Sequence, residues 1–426
     1  MRWILVIFCG CLTLHNGVAI AQESGTTMVI EPKAVIESAV NAGDLAFAVA
    51  AVGNAGGEIW SYASGHKDAD KKRAASSNDI IQIASMTKLV TTIAALQLVE
   101  RGALELDTPI EAYVPELAGL QVLTGFDAND GPLFEQASRA PTTRELMTHT
   151  AGYVYEIWNS NALRAANLGV TESAFGSGNF LASPLAFQPG TNWEYGISTD
   201  WLGALVERRS ATRLANYFAK NIFQPLGMDD SHYELPEGKL HRTVTVMARA
   251  GDTLVPAPML QPQAMEAGSM AFYSGGGGLY STLSDYGRVL QMLLNGGSLN
   301  GTTILKPETV DAMFRNHVGD IQPAALTTAM PPISNTADMS FGAPATFGLG
   351  LLIHPQGIPN GRRSNTGSWA GLFNSYYWVD RESGIYGIFG TQILPFYDAA
   401  TIATLAQFER AVYSPKVRSK LTPSAK

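Results

Sequence analysis

Ser85 and Lys88 stand three residues apart in "QIASMTKLVTTIAALQLVERG" (82–102), where a short apolar run passes into helical spacing. A serine hydroxyl is a weak nucleophile near neutral pH and needs a neighbour to take its proton. Residues i and i+3 share a helix face, so an amine one turn along can reach the hydroxyl. Burial and a helix N-terminus both favour a neutral amine and a negative charge developing on the serine oxygen. The competing reading is an N-cap serine ahead of an ordinary core helix. Spacing alone does not separate the two. Ser64-Gly65-His66-Lys67 has the same pattern in a glycine-containing return after a strand, with no helix to align it.

Other chemistries have less support. Both cysteines, Cys9 and Cys11, fall in an N-terminal stretch that reads as a secretory signal over residues 1–21. Arg2 supplies its positive start, Trp3 to Leu14 its apolar run, and Ala19-Ile20-Ala21 its small-residue cleavage site. The run is too short to span a bilayer. An exported chain, periplasmic or secreted, is therefore expected, without cysteine once processed and without thiolate nucleophiles or thiolate metal sites. The histidines at 66, 149, 232, 241, 317 and 354 form no H-E-x-x-H pattern, so neither metal nor cofactor is expected. Gly275–Gly278 lacks the Lys-Ser/Thr of a phosphate loop, and no G-x-S-x-G occurs. A net charge of −8 argues against nucleic-acid or anionic-membrane partners and leaves a small-molecule substrate, with no stable membrane insertion after signal removal. The oligomeric state is not legible.

The pair needs a scaffold. With 426 residues, 46% of them hydrophobic, the chain predicts two domains or one large divided one. "LAFAVAAV" (45–52) and "EIWSYA" (58–63) flank "GNAGG" as a hairpin. Met86 to Arg101 has helical spacing, as do Asp285 to Leu294 and Ala399 to Val412. Strands are expected at 346–353, 373–380 and 384–392. Residues 121–140 and 319–343 look like linkers, and 414–426 like a frayed tail. The predicted fold is α/β (α+β): an antiparallel sheet flanked by helices, built from 22–100 plus 271–413, with a mainly helical insert over 101–270.

The surroundings of Ser85 carry a resemblance. "IQIASMTKLVTTIAALQLVERGALELDTPIEAYVPEL", "PTTRELMTHTAGY" (141–153), "FQPGTNWEYGISTDWLGALVE" (187–207), "GGGGLYSTLSDYGRVLQMLLNGG" (275–297) and "GSWAGLFNSYYWVDRESGIYGIFGTQ" (367–392) follow one another in the order seen in the serine β-lactamase-like superfamily. That superfamily includes class C β-lactamases, D,D-peptidases and family VIII carboxylesterases, and the match runs from about 40 to 410. The resemblance implies that Ser85 is acylated, that Lys88 is its proton partner, and that Tyr195 faces them and passes the proton to the leaving group. It also implies an oxyanion hole from the backbone N–H groups of Ser85 and Leu372, and a strand Trp369-Ala370-Gly371 along which substrate lies. It makes His149 structural.

Two departures bear on the substrate. The Tyr-x-Asn of the lactamase and peptidase branches has Ile197 as its third residue here, and Trp369 replaces a cationic or imidazole side chain. Both make the pocket less polar, which suits a neutral ester better than a carboxylate-bearing lactam. Arg362 and Arg363 precede the strand and keep lactam binding open. Tyr153, Tyr155 and Trp158 are candidates for the pocket wall, or for core packing. Trp-Ala-Gly resembles the Trp-Gly-Gly of family VIII esterases. The expectation is an exported serine hydrolase of short-chain esters; the rivals are a weak β-lactamase or D-amino-acid peptidase, and a non-catalytic binding protein on the same fold.

Overall fold

The computed structural model describes residues 31–174 and 178–421. The signal expected at 1–21 and the end of the expected tail lie outside these residues. Seven antiparallel strands form the main sheet: β1 (Phe47–Asn54), β2 (Gly57–Gly65), β3 (Thr346–Phe347), β4 (Leu352–His354), β5 (Thr366–Gly371), β6 (Ser375–Asp380) and β7 (Ile385–Gly390). Their order is β3-β4-β5-β6-β7-β1-β2, so the N-terminal hairpin joins a meander made 300 residues later. The antiparallel sheet flanked by helices is the fold the sequence predicts. Every residue of β5, β6 and β7 is buried, because helices cover both faces.

The pleat divides the aromatic residues between those helices. On one face Trp60, Trp378 and Phe389 pack around Phe408 of the helix Ala399–Val412. On the other, Tyr377 meets Tyr286 of the helix Leu283–Leu294 at 5.3 Å between ring centroids. Thr282 caps the latter helix by accepting from the Asp285 N–H. Two further helices are α1 (Pro32–Asn41) and α2 (Thr87–Glu100); α2 is buried from Thr87 to Leu98 and packs against the helix Ser198–Ser210 of the inserted region.

Several expectations change. Residues 346–353 are two short strands rather than one, because Gly350 turns the chain at φ +74° with its α-carbon against Thr92. The stretch 121–140, read as a linker, contains a hairpin of Gln121–Phe126 with Pro132–Gln136. Inside the expected helical insert, Met247–Ala250 is a strand that pairs with Thr253–Pro256 and with Ile393–Leu394. The expected tail begins with a helix, Pro415–Leu421, whose Val417 and Leu421 are buried and whose last carbonyl accepts from Asn54. Polar composition there hid a two-residue apolar contact.

Arg362 is not the carboxylate receptor that its position suggested. It is 3% exposed and forms an ion pair at 3.0 Å with Glu409, on the face covered by the C-terminal helix. The Arg363 N–H donates to Asp380. Removing one partner of a buried pair leaves the other charge uncompensated and costs about 3–5 kcal/mol. Glu409→Ala should therefore lower stability by about that amount in denaturant titration.

Candidate active site

Ser85 occupies a 3-10 turn, Ala84–Met86, that leads into α2. Ala84 has φ +44°, a conformation costly for alanine, and tertiary contacts hold it there. Ile81–Gln82 pairs with Tyr280–Ser281, the Ile83 N–H donates to the Leu279 carbonyl, and the Tyr286 hydroxyl donates to the Met86 carbonyl at 2.9 Å. Gly371, the last residue of β5, lies so close that a Cβ there would be 2.3 Å from the Ile83 carbonyl oxygen. Only glycine lets β5 approach the turn this closely.

Lys88 projects from the first turn of α2 and is 3% exposed. Its Nζ lies 3.2 Å from Ser85 Oγ, 3.1 Å from the Tyr155 hydroxyl and 2.8 Å from the Gly276 carbonyl. Tyr155 in turn donates to Asp200 Oδ2 at 3.4 Å. Asp200, 2% exposed, also accepts from Ser274 Oγ at 2.5 Å and from the Gly276 N–H at 3.1 Å. One carboxylate thus fixes both the phenol and the glycine turn that hold the amine. Burial pushes the Asp200 carboxyl above its ordinary range, and Lys88 pulls it back. Burial, then Asp200, push the Tyr155 phenol well above its usual value, so it stays protonated.

Tyr195 is placed differently from Tyr155. Lys88 Nζ lies over its ring, 4.7 Å from the centroid, and its hydroxyl accepts from Trp369 Nε1 at 3.4 Å. His149 packs edge-on against Tyr195, 4.9 Å between centroids. Burial, then Lys88, hold its imidazole well below the usual pKa, which makes it a neutral packing group.

Two cavities meet at Ser85. The smaller, about 20 Å³, is lined by Ser85, Trp158, Tyr195, Leu326, Met339, Trp369 to Leu372, and Phe396. The larger, about 250 Å³, is lined by Ser85, Tyr155, Trp158, Leu260, Gly276 to Gly278, Leu372 and Phe373, among others. Among the described residues, no charged side chain lines either. Ser85, Lys88, Tyr195, Trp369, Ala370, Gly371 and Leu372 are thereby brought together.

Ile197 and Tyr153 are not. Both line a separate cavity of about 60 Å³ on the far side of the loop carrying Tyr155, where Gly196 packs directly on the Tyr153 carbonyl. The loss of the asparagine is met instead by Asp200, one turn further along. Sequence reasoning missed that residue, although a lone acid in "YGISTDWLGALV" is a recognisable sign of a buried carboxylate. It also missed Leu326, Met339 and Phe396, whose loops carry no motif.

A sheet with this order, a buried lysine one turn from a serine, and an opposing tyrosine define a serine enzyme of the β-lactamase and penicillin-binding-protein fold. The chain belongs to the Beta-lactamase family, whose model matches residues 33–411. Among its relatives, Lovastatin esterase of Penicillium rubens is 30% identical over 88% of this chain and 96% of that protein. Monacolin J acid methylbutanoyltransferase of Aspergillus terreus is 32% identical over 78% of this chain and 81% of that protein. The solved structure of unliganded Simvastatin Synthase (LovD) from Aspergillus terreus superposes with a TM-score of 0.77, at 28% identity over 90% and 97% of the two chains.

Tyr155→Phe and Asp200→Asn each cut the tether on Lys88. A displacement of about 1 Å at a reacting group can cost about 10²-fold, so kcat/KM should fall by about that factor in each. Asp200→Asn replaces a carboxylate whose charged form burial disfavours, so its thermal midpoint should fall far less than its activity does.

Proposed function

We propose that the chain hydrolyses short-chain carboxylic esters through an acyl-enzyme on Ser85. The observation that carries this reading is the Lys88 environment. Its Nζ lies 3.2 Å from the Ser85 hydroxyl and is held by the Tyr155 oxygen and the Gly276 carbonyl, so a neutral amine donating to those two turns its lone pair to Ser85. Lys88 then accepts the Ser85 proton as Oγ bonds to the ester carbonyl carbon. Negative charge on the former carbonyl oxygen is met by the backbone N–H groups of Ser85 and Leu372; losing one such donor typically costs about 10²–10³ in rate. Collapse breaks the carbon–oxygen bond to the alcohol, which leaves with a proton. The hydrogen-bond inventory favours Tyr195 as its donor. Tyr155 gives its hydrogen to Asp200, whereas Tyr195 accepts from Trp369 and has a hydrogen to give. The proton taken by Lys88 restores the Tyr195 phenol. Water then attacks the acyl-enzyme with Lys88 and Tyr195 as bases, and the proton taken from water passes to Ser85 Oγ as its bond to the acyl carbon breaks and the acid leaves.

Uncharged cavity walls and the commitment of Arg362 to Glu409 support an ester over a β-lactam or a peptide carboxylate. Acyl transfer to an alcohol uses the same intermediate, and the transferase names among the relatives favour it as a second reading. Export rests on residues 1–21 alone.

Ethyl butyrate hydrolysis, followed by pH-stat, should be abolished in Ser85→Ala, and a fluorophosphonate should add mass to the wild type only. Normal turnover by that variant would end the proposal. Tyr195→Phe should lose about 10²–10⁴ in kcat/KM, the usual range for a proton-transfer group. Nitrocefin turnover well above that of the ester would select the lactamase alternative.

A further inference from the structure

The stretch 319–343, which reads as a linker, closes over Ser85. Leu326 and Ala337 exchange backbone hydrogen bonds at 2.8 and 3.0 Å, making the segment between them a strap. The inserted region holds one side, through the Ala329 N–H on the Ile157 carbonyl at 2.8 Å and Trp158 Nε1 on Ser334 Oγ at 3.0 Å. The loop after β7 holds the other, where the Asn335 N–H donates to the Phe396 carbonyl and the Phe396 N–H to the Ile333 carbonyl, both at 2.9 Å. At the feet of the strap, Leu326 and Met339 are buried and face the small cavity with Phe396 and Trp369.

We propose that this strap, through Leu326 and Met339, limits the size of the alcohol half of the ester, while the acyl half occupies the larger cavity. The inference rests on the ester-cleaving reading above and adds an orientation to it. The leaving oxygen needs a proton donor on its own side of Ser85. The phenol with a hydrogen to give, Tyr195, lines the 20 Å³ cavity, and the phenol committed to Asp200, Tyr155, lines the 250 Å³ cavity. A cavity of about 20 Å³ holds little more than one water-sized group. Apolar walls supply no partner for a charged or strongly polar alcohol. The favoured substrates are therefore methyl or ethyl esters of apolar acids.

The test varies each half separately at a fixed partner. In the wild type, kcat/KM should fall about tenfold or more from ethyl to butyl to benzyl butyrate, a methylene in a filled apolar pocket being worth about that much. From ethyl acetate to ethyl hexanoate it should hold or rise. Met339→Ala should raise the butyl-to-ethyl ratio about tenfold without shifting the acyl optimum, and Met339→Phe should lower it. Each variant's thermal midpoint reports whether it is folded, and the wild-type series stands without them. A flat alcohol series, or a Met339 variant that moves acyl preference instead, overturns the orientation. Failure of a fluorophosphonate to label Ser85 would instead overturn the esterase reading itself.

Discussion

An ammonium or amine removed from water must find its partners inside the protein, or its burial costs several kcal/mol. Lys88 is 3% exposed, and its partners come from four parts of the chain: Ser85 beside it, Tyr155 on the loop after the histidine turn, Gly276 ahead of a core helix, and the Tyr195 ring beneath. Much of the architecture around the site can be understood as holding those parts at one point. Asp200 ties two of them together, because its carboxylate receives both the Tyr155 hydroxyl and the Gly276 N–H. Its place in the first turn of a helix supplies a favourable dipole for that charge.

The sheet performs a different task. Its central strands are buried on both faces, so β5 can neither slide nor tilt without disturbing Trp378, Tyr377 and their helix partners. The strand ends at Gly371, pressed on the Ile83 carbonyl, and this contact sets Leu372 beside Ser85 in the wall of the smaller cavity. Ser85 is therefore located by two rigid bodies, α2 and β5, while the cavity walls come largely from loops. The inserted region and the loop after β7 both grip the strap over Ser85, so the relative position of the two sets the shape of the smaller cavity.

Much of this was legible in advance. The hairpin of β1 and β2, the helix after Ser85, the strands β6 and β7 and the C-terminal helix have periodicities or turn residues that act locally, and the structure contains them. Legibility failed where a contact distant in sequence overrides local character. Residues 319–343 are rich in Pro, Ala, Ser and Thr and have no period, yet they fold because Ile157 and Phe396 offer backbone partners. The tail becomes a helix because Val417 and Leu421 find a surface to cover. Ile197 sat at the third position of a motif, but its side chain turns away, and the polar contribution comes from the next turn of the helix.

By itself the sequence determined the pairing of Ser85 with Lys88: they are three residues apart where a 3-10 turn leads into α2, and helical geometry puts them on one face. It also pointed to an apolar pocket through Trp369, which lines the smaller cavity. Which phenol touches the lysine, and which keeps a hydrogen to give, was decided only in three dimensions. Tyr155 and Tyr195 are forty residues apart on separate loops, both within reach of Lys88. Their roles diverge because one meets a buried carboxylate and the other an indole N–H, and neither partner is adjacent in the chain.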